Sequence, residues 1–243
     1  RGMDFSRIPP QTPALVIDLA ALEHNIATMQ RACDAAGVRL RPHGKMHKCS
    51  TIARLQIEAG AAGLCCQSVG EAEVFARAGI ADILVSSPVP PWGPPRLAAL
   101  VRETGARVGA VCDSAAQIER LSHAAGEAGV VLGCTVDIDI GMHRAGCAPA
   151  AAPALAALAA RLPGLSYDGV QAYFGHLQHR GEGRAEANAE HSRQLSALVA
   201  ALSAAGLAPP CVTGGGSGTY ALDLRNGVFT ELQCGSYAVM DSE

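Results

Sequence analysis

What most constrains this chain is a strict alternation of short, β-rich apolar runs with longer segments of helical period. Eight such runs begin near residues 38, 63, 82, 107, 131, 167, 210 and 230. Helical patterns are expected over about 20–36, 50–60, 71–79, 96–104, 149–161 and 184–205, with one more opening after Ser114 as its N-cap. Alternation of this kind implies parallel strands, and eight strand–helix units close into a barrel. An open doubly wound sheet is the alternative, but it usually has fewer strands. The 243 residues fit a single barrel, a unit of up to ~250 residues. The expected fold class is therefore α/β, a (β/α)8 TIM barrel. A separate apolar strand, ALVIDL (14–19), is expected ahead of it.

Composition excludes several classes of function. Lys and Arg number 19 against 22 Asp and Glu, and no block of five or six basic residues occurs, which argues against a nucleic-acid or anionic-membrane surface. Aromatic residues are only 4%, too few for base-stacking platforms. The 49% apolar content supplies a large core. No run approaches the ~18 apolar residues of a transmembrane helix, and the Ala-rich stretch at 148–160 carries Pro149 and Pro153. The N-terminus, with Met3 read as the natural start, lacks a signal-peptide pattern, so a cytoplasmic location is expected. Nine cysteines without a C-x-x-C pair read as buried, reduced thiols.

In a barrel, chemistry belongs at the C-terminal ends of the strands. Lys45 directly follows the first barrel strand, with Arg41, His43, His47 and Lys48 around it. A desolvated amine among cations loses its proton easily and suits Schiff-base chemistry, although a solvated basic loop would read the same. Thr213-Gly214-Gly215-Gly216-Ser217-Gly218-Thr219 follows the seventh strand, and Cys234-Gly235-Ser236 follows the eighth. Such turns bring backbone N–H groups to an anion, and the seven–eight position is where barrels hold phosphate. The P-loop pattern is missing, which argues against a nucleoside triphosphate.

Other candidates are more ambiguous. Asp137 and Asp139 alternate onto one face of the fifth strand. An ion pair with Arg144 or Lys45 is favoured there over metal binding or acid–base work. His176 and His179 have no obvious third ligand for zinc. Tyr173 reads equally as a cofactor contact or a half-buried core residue.

Taken together, PHGKMHKC, GLCCQSVGEAEVFARAGIADILVSS, VDIDIGMHRAG, TGGGSGTY and ELQCGSYAVMD resemble the D-threonine aldolase and D-serine dehydratase-like group. These are fold-type III pyridoxal-phosphate enzymes with an alanine-racemase-type barrel. The resemblance spans nearly the whole chain, and GKMHK with QCGSY favours the aldolase branch.

The resemblance implies that Lys45 carries pyridoxal 5'-phosphate covalently. It implies a phosphate cradle at 214–219, including Gly215, Gly216, Ser217, Gly218 and Thr219, completed by Cys234, Gly235 and Ser236. Gln67 and Arg144 match polar residues near the ring, and Tyr173 a tyrosine beside the cofactor. Gln233 stands where the racemases place an arginine against the pyridine nitrogen. A neutral partner there implies a less fully protonated nitrogen, unless Arg144 makes the contact.

The implied activity is cleavage of a small D-β-hydroxy-α-amino acid, such as D-threonine or D-3-hydroxyaspartate, to glycine and an aldehyde. Members of the group continue beyond the MDSE block into a β-domain whose His and acidic or Cys residues bind a divalent metal. Residues 1–20 are then expected as a strand joined to that domain and 21–243 as the barrel, in a homodimer when full-length. A dehydratase on the same scaffold, a non-catalytic pyridoxal-phosphate-binding barrel and an inactive barrel fragment are the alternatives.

Overall fold

The computed structural model describes residues 11–239. Its strands are β1 (Arg39–Leu40), β2 (Leu64–Cys66), β3 (Asp82–Val85), β4 (Arg107–Cys112), β5 (Leu132–Ile138), β6 (Leu165–Ala172), β7 (Val212–Gly214) and β8 (Glu231–Leu232). Its α-helices are α1 (Leu19–Ala35), α2 (Ser50–Glu58), α3 (Val69–Arg77), α4 (Gly93–Thr104), α5 (Ala115–Ala128), α6 (Ala152–Arg161), α7 (Arg184–Ala204) and α8 (Tyr220–Asn226).

All eight strands are parallel, in the order β1-β8-β7-β6-β5-β4-β3-β2. The sheet closes at the β1–β2 seam, where Ala62 N–H donates to Leu40 O and Cys65 N–H to Pro42 O, both at 2.8 Å. A parallel bridge between His43 and Cys65 completes that seam. The barrel expected from the strand–helix alternation is thus present.

Local chemistry explains where the elements start. Asp18 caps α1 by accepting from Ala21 N–H at 3.0 Å, and Leu22, Ile26, Met29 and Cys33 form its buried stripe at helical spacing. Ser68 caps α3 through Glu71 N–H, while the Glu71 carboxylate accepts from Gln67 N–H at 2.6 Å. That reciprocal bonding pins Gln67 at the end of β2. Every residue of β5 is buried, as a parallel strand covered on both faces requires.

The N-terminal end of the barrel is closed by ions. Arg41 donates to Glu231 at 2.9 Å and to Asp82 at 2.8 Å, and both Arg41 and Glu231 are buried. Arg107 bridges Asp82 and Asp168 at the edge of this layer.

Residues 14–18 pair with no strand among the described residues and Leu19 already opens α1, while the further domain expected to pair with a 14–19 strand lies outside them. Closure of the barrel leaves that segment no sheet edge among the described residues, and Leu15, Val16 and Ile17 are exposed. The expected 1–20 strand otherwise falls on residues 1–10, outside the described ones. Ser114 occupies the N-cap position of α5, but its side chain makes no capping bond. The short helix α8 was hidden in sequence by its seven-residue length. Among the described residues, no helix is long and apolar enough to cross a membrane.

Candidate active site

A cavity of about 730 Å³ opens at the C-terminal ends of the strands. Lys45 stands in its wall, on a single 3-10 turn (Gly44–Met46) directly after β1. The turn begins with His43, whose Nδ1 accepts from Lys45 N–H at 3.4 Å. His43 Nε2 therefore carries the proton and meets Ser86 Oγ at 2.9 Å, while Ser86 donates to Cys66 O. Burial, reinforced by the charges of Lys45 and Arg144, pushes His43 down to about 3. It is a neutral scaffold for the turn at any physiological pH.

The Lys45 amine donates to Gln67 Oε1 at 3.4 Å, and Gln67 Nε2 bonds the Ser87 hydroxyl. Burial and then the nearby Arg144 guanidinium lower the Lys45 pKa below the ordinary lysine value. Among the described residues, no acidic side chain contributes to the cavity wall. A half-buried amine with a neutral hydrogen-bond partner and a cationic neighbour is a nucleophile in waiting. Arg144 itself stacks over Tyr173, its guanidinium carbon 5.3 Å from the ring centre. Burial raises the Tyr173 phenol above its ordinary value.

Across the cavity, the turns after β7 and β8 meet. Ser217 Oγ accepts from Tyr237 N–H at 2.9 Å. The Gly216–Gly218 backbone lies against Gln178, and a Cβ on either glycine would collide with that residue. Gly218 N–H donates to Gln178 Oε1 at 2.9 Å. No described residue accepts from the N–H groups of Ser217, Gly235 or Ser236. Those three donors, with the Ser217 hydroxyl, fit an anion at this end of the cavity.

The structure therefore brings Lys45, Gln67, Arg144, Tyr173, Gly215, Gly216, Ser217, Gly218, Gln233, Gly235 and Ser236 to one cavity. It leaves out two residues. Thr219 is buried behind the turn, its hydroxyl donating to Asp223 at 2.6 Å and accepting from Gln178 at 2.9 Å. Cys234 is fully buried away from the cavity and contributes only its carbonyl, which accepts from His43 N–H.

The expected ion pair of Asp137 or Asp139 with Arg144 or Lys45 is corrected as well. Asp137 bonds Gln171 at 2.9 Å and Asp139 bonds His143 at 2.9 Å, so neither pairs with Arg144 or Lys45. Asp139 lies beyond the end of β5, where the strand alternation no longer holds. His176 bonds His191 on α7 at 3.0 Å, and His179 lies at the cavity wall. Among the described residues no group of three His, Cys, Asp or Glu could hold a metal ion. All nine cysteines are free, as expected.

Sequence reading missed Gln171, Gln178 and Ser86 in the wall. Gln171 had a visible signal, a lone amide inside the apolar run of β6.

Comparison with known proteins agrees with the barrel fold. The family model "Alanine racemase, N-terminal domain" matches residues 17–243. A 3-hydroxy-D-aspartate aldolase of Paracoccus denitrificans (strain Pd 1222) is 45% identical over 100% of this chain and 63% of its own length. A D-threonine aldolase of Arthrobacter sp is 42% identical over 96% of this chain and 62% of its own length. The crystal structure of D-threonine aldolase from Filomicrobium marinum superposes with a TM-score of 0.92 at 42% identity, covering 95% of this chain and 63% of that one. The chain thus spans under two thirds of the relatives it matches. An eight-stranded parallel barrel with a lysine after its first strand, matched by that model over almost all its length, belongs to the alanine racemase N-terminal domain family.

Proposed function

We propose that this chain is the cofactor-binding barrel of a pyridoxal-phosphate-dependent lyase that cleaves D-β-hydroxy-α-amino acids to glycine and an aldehyde. The observation that carries this reading is Lys45 itself, half-buried, its pKa lowered, and facing a cavity whose far end is the paired turns after β7 and β8. Lys45 would hold the cofactor through its amine. Ser217, Gly235 and Ser236 would hold the phosphate. The cofactor, once bound, supplies an electron sink at the substrate α-carbon.

The residues of the wall would do the rest. Arg144, without a carboxylate partner among the described residues, offers a guanidinium to the substrate carboxylate. The described wall carries Lys45, Arg144, Arg180 and Arg184 and no acidic side chain, which favours anionic ligands. Gln67 orients the Lys45 amine and, through Ser87, is itself held. The aldolases of Paracoccus and Arthrobacter support the choice of substrate class.

The residues in hand do not fit a divalent metal, so no step is assigned to one. A metal would have to be held by ligands outside the described residues.

The test is product analysis with D-threonine and D-3-hydroxyaspartate beside their L-isomers. Glycine and aldehyde from the D-isomers alone support the reading. Keto acid with ammonia would move the protein to the dehydratase branch.

A further inference from the structure

The floor of the cavity is a chain of two amides whose polarity is fixed from outside. Gln171 Nε2 meets Ser86 O at 3.2 Å and Asp137 Oδ1 at 2.9 Å. A peptide carbonyl only accepts, so the group facing Ser86 O must be the NH2 of Gln171, and its Oε1 must face the other way. That Oε1 lies 3.0 Å from the Gln233 amide, which must therefore donate to it.

The second Gln233 hydrogen goes to Thr213 Oγ1 at 2.9 Å. Thr213 in turn donates to Glu231 Oε1 at 3.0 Å, the oxygen that also accepts from Arg41. Turning Gln233 over would put its oxygen against Gln171 Oε1 and cost two buried hydrogen bonds. Both of its N–H groups are thus engaged. Gln233 Oε1 has no donor among the described residues, and Gln233 lines the cavity.

An acceptor held in this way selects what can sit on it. Resting on the cofactor assignment above, the aldehyde side of pyridoxal phosphate goes to Lys45 and the phosphate to the β7–β8 turns. The phenolic oxygen is adjacent to the aldehyde carbon and stays with it. The ring nitrogen, para to the aldehyde carbon, is the remaining polar atom. We propose that Gln233 presents its carbonyl oxygen to the ring nitrogen of the cofactor and thereby holds that nitrogen protonated, with Gln171 and Thr213 as the positioning residues. This reverses the expectation that a neutral partner leaves the nitrogen less protonated. An amide could accept or donate, and its neighbours decide which. A protonated ring is the stronger electron sink, which suits breaking a carbon–carbon bond.

The experiment is 15N NMR of the protein loaded with ring-15N pyridoxal phosphate. The expected resonance lies at the pyridinium position and stays there across neutral pH. Gln233→Glu gives up the two bonds that the amide donates to Gln171 and Thr213, but its carboxylate still accepts from the ring N–H, so the pyridinium resonance should persist wherever the variant takes up cofactor. Gln233→Met should move it toward neutral pyridine while the circular dichroism spectrum and bound cofactor content are kept. If Gln233→Met does not fold, the unmodified protein and Gln233→Glu still decide. A neutral-pyridine resonance in the unmodified protein, as a ring nitrogen on the Arg144 guanidinium would give, overturns the inference and leaves the cofactor assignment standing. Failure to take up any cofactor overturns both.

Discussion

Ser217 accepts a hydrogen bond from the backbone N–H of Tyr237 at 2.9 Å, which makes the turns after β7 and β8 one structural unit. Each turn alone is a short glycine-rich bend. Joined, they bring Ser217, Gly235 and Ser236 to the same end of the cavity, where the proposed cofactor phosphate would sit. Ser217→Ala deletes both the tie and a hydroxyl donor. A net hydrogen bond contributes about 1 kcal/mol, so pyridoxal phosphate affinity should fall about five- to tenfold. Titration followed by absorbance checks this, and unchanged affinity would remove Ser217 from the cradle.

Lys45 has its pKa lowered by burial and by Arg144. The neutral amine is the form that attacks an aldehyde. The rate of cofactor capture should therefore rise with pH through a midpoint below that of free lysine. Replacing Arg144 with Met removes the cationic neighbour and should move that midpoint upward. Stopped-flow absorbance at a series of pH values measures it. A midpoint that does not move would show that burial alone acts.

Asp137 is pushed up to about 6 by burial, against an ordinary value of 3.8. The native state then binds a proton that the unfolded chain has already released. Stability from this group is fully present below pH 3.8 and falls as pH rises toward about 6. Asp137→Asn keeps an acceptor for Gln171 and removes the charge. It should stabilise the fold at pH 7 by up to about 3 kcal/mol and have little effect at pH 4. Urea unfolding midpoints at the two pH values give the answer. A gain of equal size at both would rule out the ionisation.

The Arg41–Glu231 pair is buried at the opposite end of the barrel from Lys45. Arg41→Met leaves buried Glu231 with only the half-exposed Arg39 at 3.7 Å and the Thr213 hydroxyl as partners, and breaking a buried ion pair typically costs about 3–5 kcal/mol. It should also loosen Thr213, which shares Glu231 Oε1 with Arg41. Thermal unfolding checks the first effect. A loss below about 1 kcal/mol would mean water replaces the guanidinium.

How much of this was legible in the sequence depends on which physics set each feature. The eight strands and seven of the eight helices were readable, because a buried parallel strand must be apolar and a covering helix must be amphipathic. Lys45, Gly216 and Gly235 were readable because barrel geometry puts chemistry at strand ends. The amide chain of Gln171, Gln233 and Thr213 was not. It joins residues 62 and 20 positions apart, and only strand order brings them together. The segment ALVIDL pairs with nothing in the closed barrel, in keeping with a pattern expected to join a further domain rather than this sheet. Thr219 and Cys234 looked like cradle residues from spacing alone, but each side chain turns into the core.

The central claim is that Lys45 holds the cofactor, and borohydride reduction of the protein loaded with pyridoxal phosphate tests it most directly. Reduction fixes the cofactor on whichever amine carries it, and peptide mapping by mass spectrometry finds that residue. The account predicts one modified peptide, with the adduct on Lys45 and none on Lys48, three residues away and exposed on its side chain. An adduct on Lys48 alone, or no adduct on any lysine, would contradict it.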